Sequence, residues 1–200
     1  MPVQGQMTNA TRIAIVDESP VRSAILEEGL RDAGYTQIIV IGETSGLLAR
    51  LQAIDPDMIV IDLENPSRDS LEQMFHVSRL VSRPVAMFVD QSDSPMIAAA
   101  IEAGVSTYIV DGLKQSRVKH IVETAIVRFN AFTKLKQELA EAKSKLEERK
   151  VLDRAKGILM RVKNISEDEA FRLIRRAAMN ENRTLAQVAQ SIVTAAELLR

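Results

Sequence analysis

Five short apolar runs, each too continuous to be one face of a helix, constrain the fold of this chain more than any other feature. They are RIAIVD (12–17), IIVI (38–41), MIVIDL (58–63), PVAMFV (84–89) and TYIV (107–110). Amphipathic stretches near 20–33, 45–53, 68–81 and 95–103 lie between them. β-branched runs without polar alternation are strands buried on both faces, and helices between such strands are the crossovers of a parallel sheet. Gly34 and Gly104 stand where helix C-terminal turns are expected. The pattern predicts an α/β domain over 12–120, a doubly wound five-stranded parallel sheet, behind a disordered tail at 1–11.

From Val118 onward the strand pattern stops. Phe132, Leu135, Leu139, Ala142 and Leu146 recur at spacings of three and four, between opposite charges four apart: Lys134–Glu138, Glu141–Lys145 and Lys143–Glu147. This predicts a coiled-coil linker helix over 121–150, with Leu135, Leu139, Ala142 and Leu146 as a dimer seam. Residues 151–200 read as an all-α bundle of three helices. Ser166 with Glu169, and Thr184 with Gln187, have the spacing of capping boxes and mark two helix starts. The apolar stripes are Leu152, Ala155, Ile158, Leu159 and Val162; Ala170, Leu173, Ile174 and Ala177; and Leu185, Val188, Ala189, Ile192, Val193 and Ala196.

Charge divides the chain at the same place. Residues 1–120 carry 10 Lys+Arg against 16 Asp+Glu, and residues 121–200 carry 16 against 11. An acidic front and a basic back predict different partners. Disulfides and thiolate chemistry are excluded because there is no cysteine, and His76 and His120 are too few for a histidine-built metal site. No run approaches the ~20 apolar residues of a membrane span, and no leader peptide is evident, so a cytoplasmic protein without membrane contact is expected.

Doubly wound sheets bind ligands beyond the carboxyl ends of their strands. Those ends carry Asp17 and Glu18, Asp62, Val89 and Asp111. Asp17, Glu18 and Asp62 are oxygen donors suited to a hard divalent cation such as Mg2+. With Pro66 and Asp69 in DLENPSRD, they resemble the response-regulator receiver domain. The resemblance implies that Asp17 and Glu18 bind magnesium and that Asp62 accepts phosphate from a histidine kinase. Two positions depart from that pattern: a Thr or Ser is expected at Val89, and a Lys at Asp111. Lys114, beyond Gly112, is poorly placed to substitute. An anion in place of the cation repels an incoming phosphoryl group of about −2 charge. The front domain therefore reads as a pseudo-receiver controlled by a partner protein. No nucleophile–base pair or oxyanion device accompanies the acids, so no enzyme is expected.

The stretch DRAKGILMRV (153–162) is the most unusual in the back half. Arg154 and Arg161 fall on one edge of its apolar stripe, Lys156 and Lys163 on the other. Gly157 lies on the outer side. A glycine inside a helix costs about 0.5–1 kcal/mol against alanine, which predicts close approach of another backbone there. Arg172, Arg175 and Arg176 cluster opposite the stripe of the next helix. Guanidiniums in this density suit phosphate and base contacts. Charge alone does not separate RNA from DNA, so a phosphorylation-dependent DNA-binding response regulator is the alternative reading. The run RAKGILM…ISEDEAFRLIRRAAMNENRTLAQVAQSIV closely resembles the ANTAR domain over 150–199. Receiver, coiled coil and ANTAR in this order is similar to the NasT-type nitrate-assimilation regulators, to which ENPSRD and YIVDGL add. The resemblance implies an antiterminator that binds paired hairpins in leader mRNA and prevents a terminator forming. It also implies dimerisation in the active state, control of nitrate and nitrite assimilation genes, and an inhibitory nitrate-sensing partner.

Overall fold

The computed structural model describes residues 11–110 and 114–198. Asp111, at the expected lysine position, and nearly all of the expected tail at 1–11 lie outside the described residues. Two compact units divide at Thr133/Lys134.

The front unit alternates β1 (Arg12–Val16), α1 (Pro20–Asp32), β2 (Gln37–Ile41), α2 (Leu47–Ile54), β3 (Met58–Leu63), α3 (Arg68–Leu80), β4 (Val85–Val89), α4 (Ser94–Glu102) and β5 (Thr107–Val110). All strand pairs are parallel, in the order β2-β1-β3-β4-β5. Side chains of successive strand residues enter opposite layers. Ala14, Val16, Ile59, Ile61, Val85 and Met87 pack with α2, α3 and α4, while Ile13, Ile15, Met58, Val60, Ala86 and Phe88 pack with α1 and the start of α5 (Gln115–Lys163). Burial on both faces explains why these strands have no polar alternation. Gly34 (φ +94°) and Gly104 (φ +85°) take the left-handed conformation just past α1 and α4, as their positions predict.

Gly29 has a different purpose. A Cβ there would lie 3.0 Å from the Val118 Cγ2 and 3.2 Å from the Gln115 carbonyl. The missing side chain thus lets α1 and α5 approach closely, which offsets the helix propensity lost with glycine.

The same topology sets the acid rim. Val16 pairs with Ile61, so Asp17 and Asp62 leave adjacent strand ends, and Asp62 itself pairs with Phe88 of β4. α1 begins directly after β1, with Ser19 as N-cap accepting from the Arg22 N–H and Pro20 in the first turn.

α5 contributes to both units. The linker and the first bundle helix, expected as pieces meeting at 150, are one uninterrupted helix from Gln115 to Lys163. Arg149 and Lys150 interrupt the apolar seam, but neither breaks a helix; both are good helix formers. Asn164 ends it at φ +52°. α6 (Glu167–Glu181) and α7 (Leu185–Leu198) complete the back unit. Both capping boxes form: Ser166 and Glu169 bond reciprocally, as do Thr184 and Gln187. Ala155, Ile174, Ala178, Val188, Ala189 and Val193 form its buried core. Val162 and Leu173, expected inside, are 75% and 38% exposed, because a core this small covers only part of each stripe.

Candidate functional site

At the acid rim, the strand ends bring Asp62 and Asp17 into the interior, at 1% and 4% exposure. A buried carboxylate needs a counter-charge. Arg22, in the first turn of α1, supplies it. Its Nε donates to Asp62 Oδ2 at 2.8 Å and its Nη2 to Asp62 Oδ1 at 2.6 Å. On its other edge Nη1 donates to both carboxylate oxygens of Asp90, at 3.0 and 3.1 Å, and Nη2 donates to Asp90 Oδ1 at 3.1 Å. Forked between two carboxylates, the guanidinium donates from all three of its nitrogens. The hydrogen bonds to Asp62 hold Arg22 in its charged form, above its ordinary range. Asp90 immediately follows Val89, which is fully buried and has no hydroxyl to offer the rim.

The other two predicted ligands are engaged separately. Asp17 Oδ1 accepts from the Ser19 N–H at 2.8 Å, while Oδ2 is buried without a hydrogen-bond partner. Burial pushes Asp17 up to about 6, with the charge of Asp62 adding to the shift. Glu18 Oε1 accepts from Thr44 Oγ1 at 3.0 Å. An open cleft of about 440 Å³ lies alongside, lined by Asp17, Glu18, Asp62, Glu64 and the β3–α3 loop. Receiver domains use Mg2+ at this rim. Here the residues do not fit it: among the described residues no three acids or histidines converge on a metal position. The expected set Asp17, Glu18 and Asp62 is therefore not assembled, because both oxygens of Asp62 already face Arg22.

Sequence reasoning named the acids and missed Arg22 and Asp90. A signal for Arg22 existed. A cation in the first turn of a helix opposes the helix dipole, at a cost of about 0.3–1 kcal/mol, so something else must hold it there.

In the back unit the predicted basic residues divide into two sets. Lys156 bonds to Asp153 Oδ1 at 2.7 Å and Glu167 Oε1 at 2.6 Å, so it ties α5 to the start of α6. Those two bonds raise the ammonium above the usual lysine range. Arg154 reaches Glu197 of α7 at 2.8 Å. Arg172 Nε donates to the Asp168 carbonyl at 3.3 Å. Arg161, Lys163, Arg175 and Arg176 are exposed and have no ion-pair partner among the described residues. Gly157 has open space around it: a Cβ would meet nothing within 4 Å. Among the described residues no backbone approaches it.

Along α5, Phe132, Leu135, Leu139 and Leu146 are 65%, 62%, 54% and 53% exposed, and Ala142 is exposed with them. Lys134 and Glu138 form one of the flanking pairs, at 3.9 Å. No helix among the described residues is long and apolar enough to cross a membrane.

Known proteins share both halves. The family model of the response regulator receiver domain matches residues 13–123, and that of the ANTAR domain matches residues 140–193. The transcriptional regulatory protein PdtaR of Mycobacterium tuberculosis (strain ATCC 25618 / H37Rv) is 28% identical over 182 residues, covering 91% of this chain and 89% of that protein. A nitrate regulatory protein of Klebsiella oxytoca is 35% identical over 66 residues, 33% of this chain and 17% of that protein. Among solved structures, a response regulator from Thermotoga maritima has a TM-score of 0.51 at 19% identity, over 58% of this chain and 98% of its own. The signal receiver domain of a modulated diguanylate cyclase from Desulfovibrio desulfuricans G20 has a TM-score of 0.50 at 17% identity, over 60% of this chain and 95% of its own. These two likenesses speak for the fold of the front unit alone. The receiver match spans more than half of the residues and an ANTAR match follows it, so the chain belongs to the response regulators, a regulatory family, with a receiver domain in front and an ANTAR domain behind.

Proposed function

We propose that this protein is a transcription antiterminator that binds paired hairpins in leader mRNA through its ANTAR domain and keeps a terminator from forming. The observation that carries this reading is the set of exposed cations Arg161, Lys163, Arg175 and Arg176 on α5 and α6, which have no ion-pair partner among the described residues. Cations without internal partners are free to meet phosphates and the splayed bases of RNA loops. Gly157, with open space around it, lies on the same helix as Arg161 and leaves room for a ligand backbone. Lys156 and Arg154 act mainly by tying α5 to α6 and α7, while Arg172 bonds within α6.

The exposed seam Leu135, Leu139, Ala142 and Leu146 is proposed to pair with the same seam of a second copy in the active state. A dimer presents two ANTAR domains to two hairpins and gains avidity from effective concentration. Similarity to a protein named a nitrate regulatory protein supports nitrate and nitrite assimilation genes as the targets, with a nitrate-sensing protein partner as the restraint. Such a protein acts on nascent transcripts in the cytoplasm.

The test is a gel-shift titration of the full chain against paired-hairpin leader RNA and against duplex DNA of the same sequence. RNA binding that weakens in the Arg175→Ala/Arg176→Ala variant is the expected result. Preference for the duplex would replace the RNA reading with a DNA-binding response regulator.

A further inference from the structure

We propose that Arg22 takes the place of the divalent cation at the receiver's acid rim and closes Asp62 to both metal and phosphoryl group. The receiver domain then carries a fixed internal counter-charge instead of an exchangeable one. This inference stands on the front unit alone and does not depend on what the ANTAR domain binds.

Three observations carry it. First, both carboxylate oxygens of Asp62 accept from one guanidinium, at 2.6 and 2.8 Å, and the Asp62 side chain has no solvent exposure. A metal or a phosphodonor needs one of those oxygens. Second, the guanidinium is anchored from behind by Asp90. Moving it off Asp62 disturbs the Asp90 bonds as well, because Nη2 donates to both carboxylates. Third, the backbone fixes its position. Arg22 sits in the first turn of α1, behind the Ser19 cap and Pro20, and opposes the helix dipole. That placement is favourable only if the acids in front of it require a cation that stays.

Charge explains the rest of the rim. A divalent ion added beside Arg22 meets a positive charge, and a phosphoryl group on Asp62 meets the negative charge of Asp90. Removing Arg22 inverts this: Asp62 and Asp90 lose their partner, and the buried Asp17 Oδ2, which has no hydrogen bond, becomes available to the same ion. Adjacent strand-end carboxylates without a counter-ion are a divalent-cation site.

Mn2+ is the probe, with free ion followed by electron paramagnetic resonance during titration of the full chain. Wild type and Asp62→Asn are expected to bind Mn2+ equally, within twofold. Arg22→Ser is expected to gain at least tenfold in Mn2+ affinity, and Arg22→Ser/Asp62→Asn to lose that gain. Circular dichroism checks that each variant is folded, and Arg22→Gln, which keeps hydrogen bonding without charge, replaces Arg22→Ser if the latter is not. A tenfold loss of Mn2+ affinity on Asp62→Asn alone overturns the proposal, because it means that Arg22 yields to metal in the wild type. So does a folded Arg22 variant with no gain. If neither Arg22 variant folds, the comparison of wild type with Asp62→Asn decides by itself.

Discussion

Arg22 in the receiver domain and Arg175 in the ANTAR domain carry the same guanidinium in opposite surroundings. Arg22 is mostly buried and forked between Asp62 and Asp90; Arg175 is exposed and has no partner among the described residues. Both belong to the charge pattern of a regulator, yet one is spent inside the fold, and the other has the exposure that the proposed RNA contact requires. The difference lies in pairing, which a charge count does not see. It recurs within the ANTAR domain, where Lys156 and Arg154 are held by carboxylates of other helices while Arg161 and Lys163, one edge each and seven residues on, are not.

Substitutions at the two kinds of arginine should separate stability from affinity. Arg22→Ala leaves the buried Asp62 charge unpaired, and urea unfolding should show a loss of about 3 kcal/mol or more in the front unit. Arg175→Ala/Arg176→Ala should leave the unfolding midpoint unchanged and weaken binding to hairpin RNA by roughly tenfold to a hundredfold, with a shallower salt dependence. Similar stability costs for the two substitutions would erase the distinction. Asp17 sharpens it further. Its carboxyl is pushed up to about 6 from an ordinary 3.8, so the folded state favours the protonated form. The stability this group contributes is complete below about pH 4 and is lost as pH rises through 6. Asp17→Asn should therefore stabilise the protein by about 1–2 kcal/mol at pH 8 and by almost nothing at pH 4, measured as thermal midpoints across that range.

The smallest effects come from the two helical glycines. Gly29→Ala meets Val118 at 3.0 Å and should lower stability by about 1 kcal/mol despite better helix propensity. Gly157→Ala meets nothing and should raise it by about 0.5–1 kcal/mol. If Gly157 makes room for RNA, the same alanine lowers hairpin affinity while the melting temperature rises. A gain in stability at Gly29 would show that it is not placed for close approach, and an unchanged hairpin affinity in Gly157→Ala would remove the RNA role of that glycine.

Much of this architecture was legible in the sequence because its causes are local. Buried parallel strands read as unbroken apolar runs, Gly34 and Gly104 mark helix ends, and Ser166–Glu169 and Thr184–Gln187 declare two helix starts. Asp17 and Asp62 were legible as neighbours because β1 and β3 are adjacent in a doubly wound sheet. What escaped depends on distant partners. Arg22 meets residues 40 and 68 positions away, and Lys156 meets Glu167 across a turn, so neither pairing leaves a periodic trace. Close approach within the chain is found at Gly29 and not at Gly157: both are glycines inside helices, and only packing distinguishes them. The continuity of α5 was available earlier, since no glycine, proline or cap separates the seam from Leu152.

The central claim is that the protein's external chemistry lies in the ANTAR domain while the acid site of the receiver is closed from within. It is tested most directly by titrating the full wild-type chain with fluorescent paired-hairpin RNA at fixed Mg2+, with and without beryllofluoride as a phosphoryl mimic. The account predicts one Kd under both conditions, and a Kd at least tenfold weaker in Arg175→Ala/Arg176→Ala. A beryllofluoride-dependent change in Kd that disappears in Asp62→Asn would contradict it, because Asp62 would then be open and driving the switch.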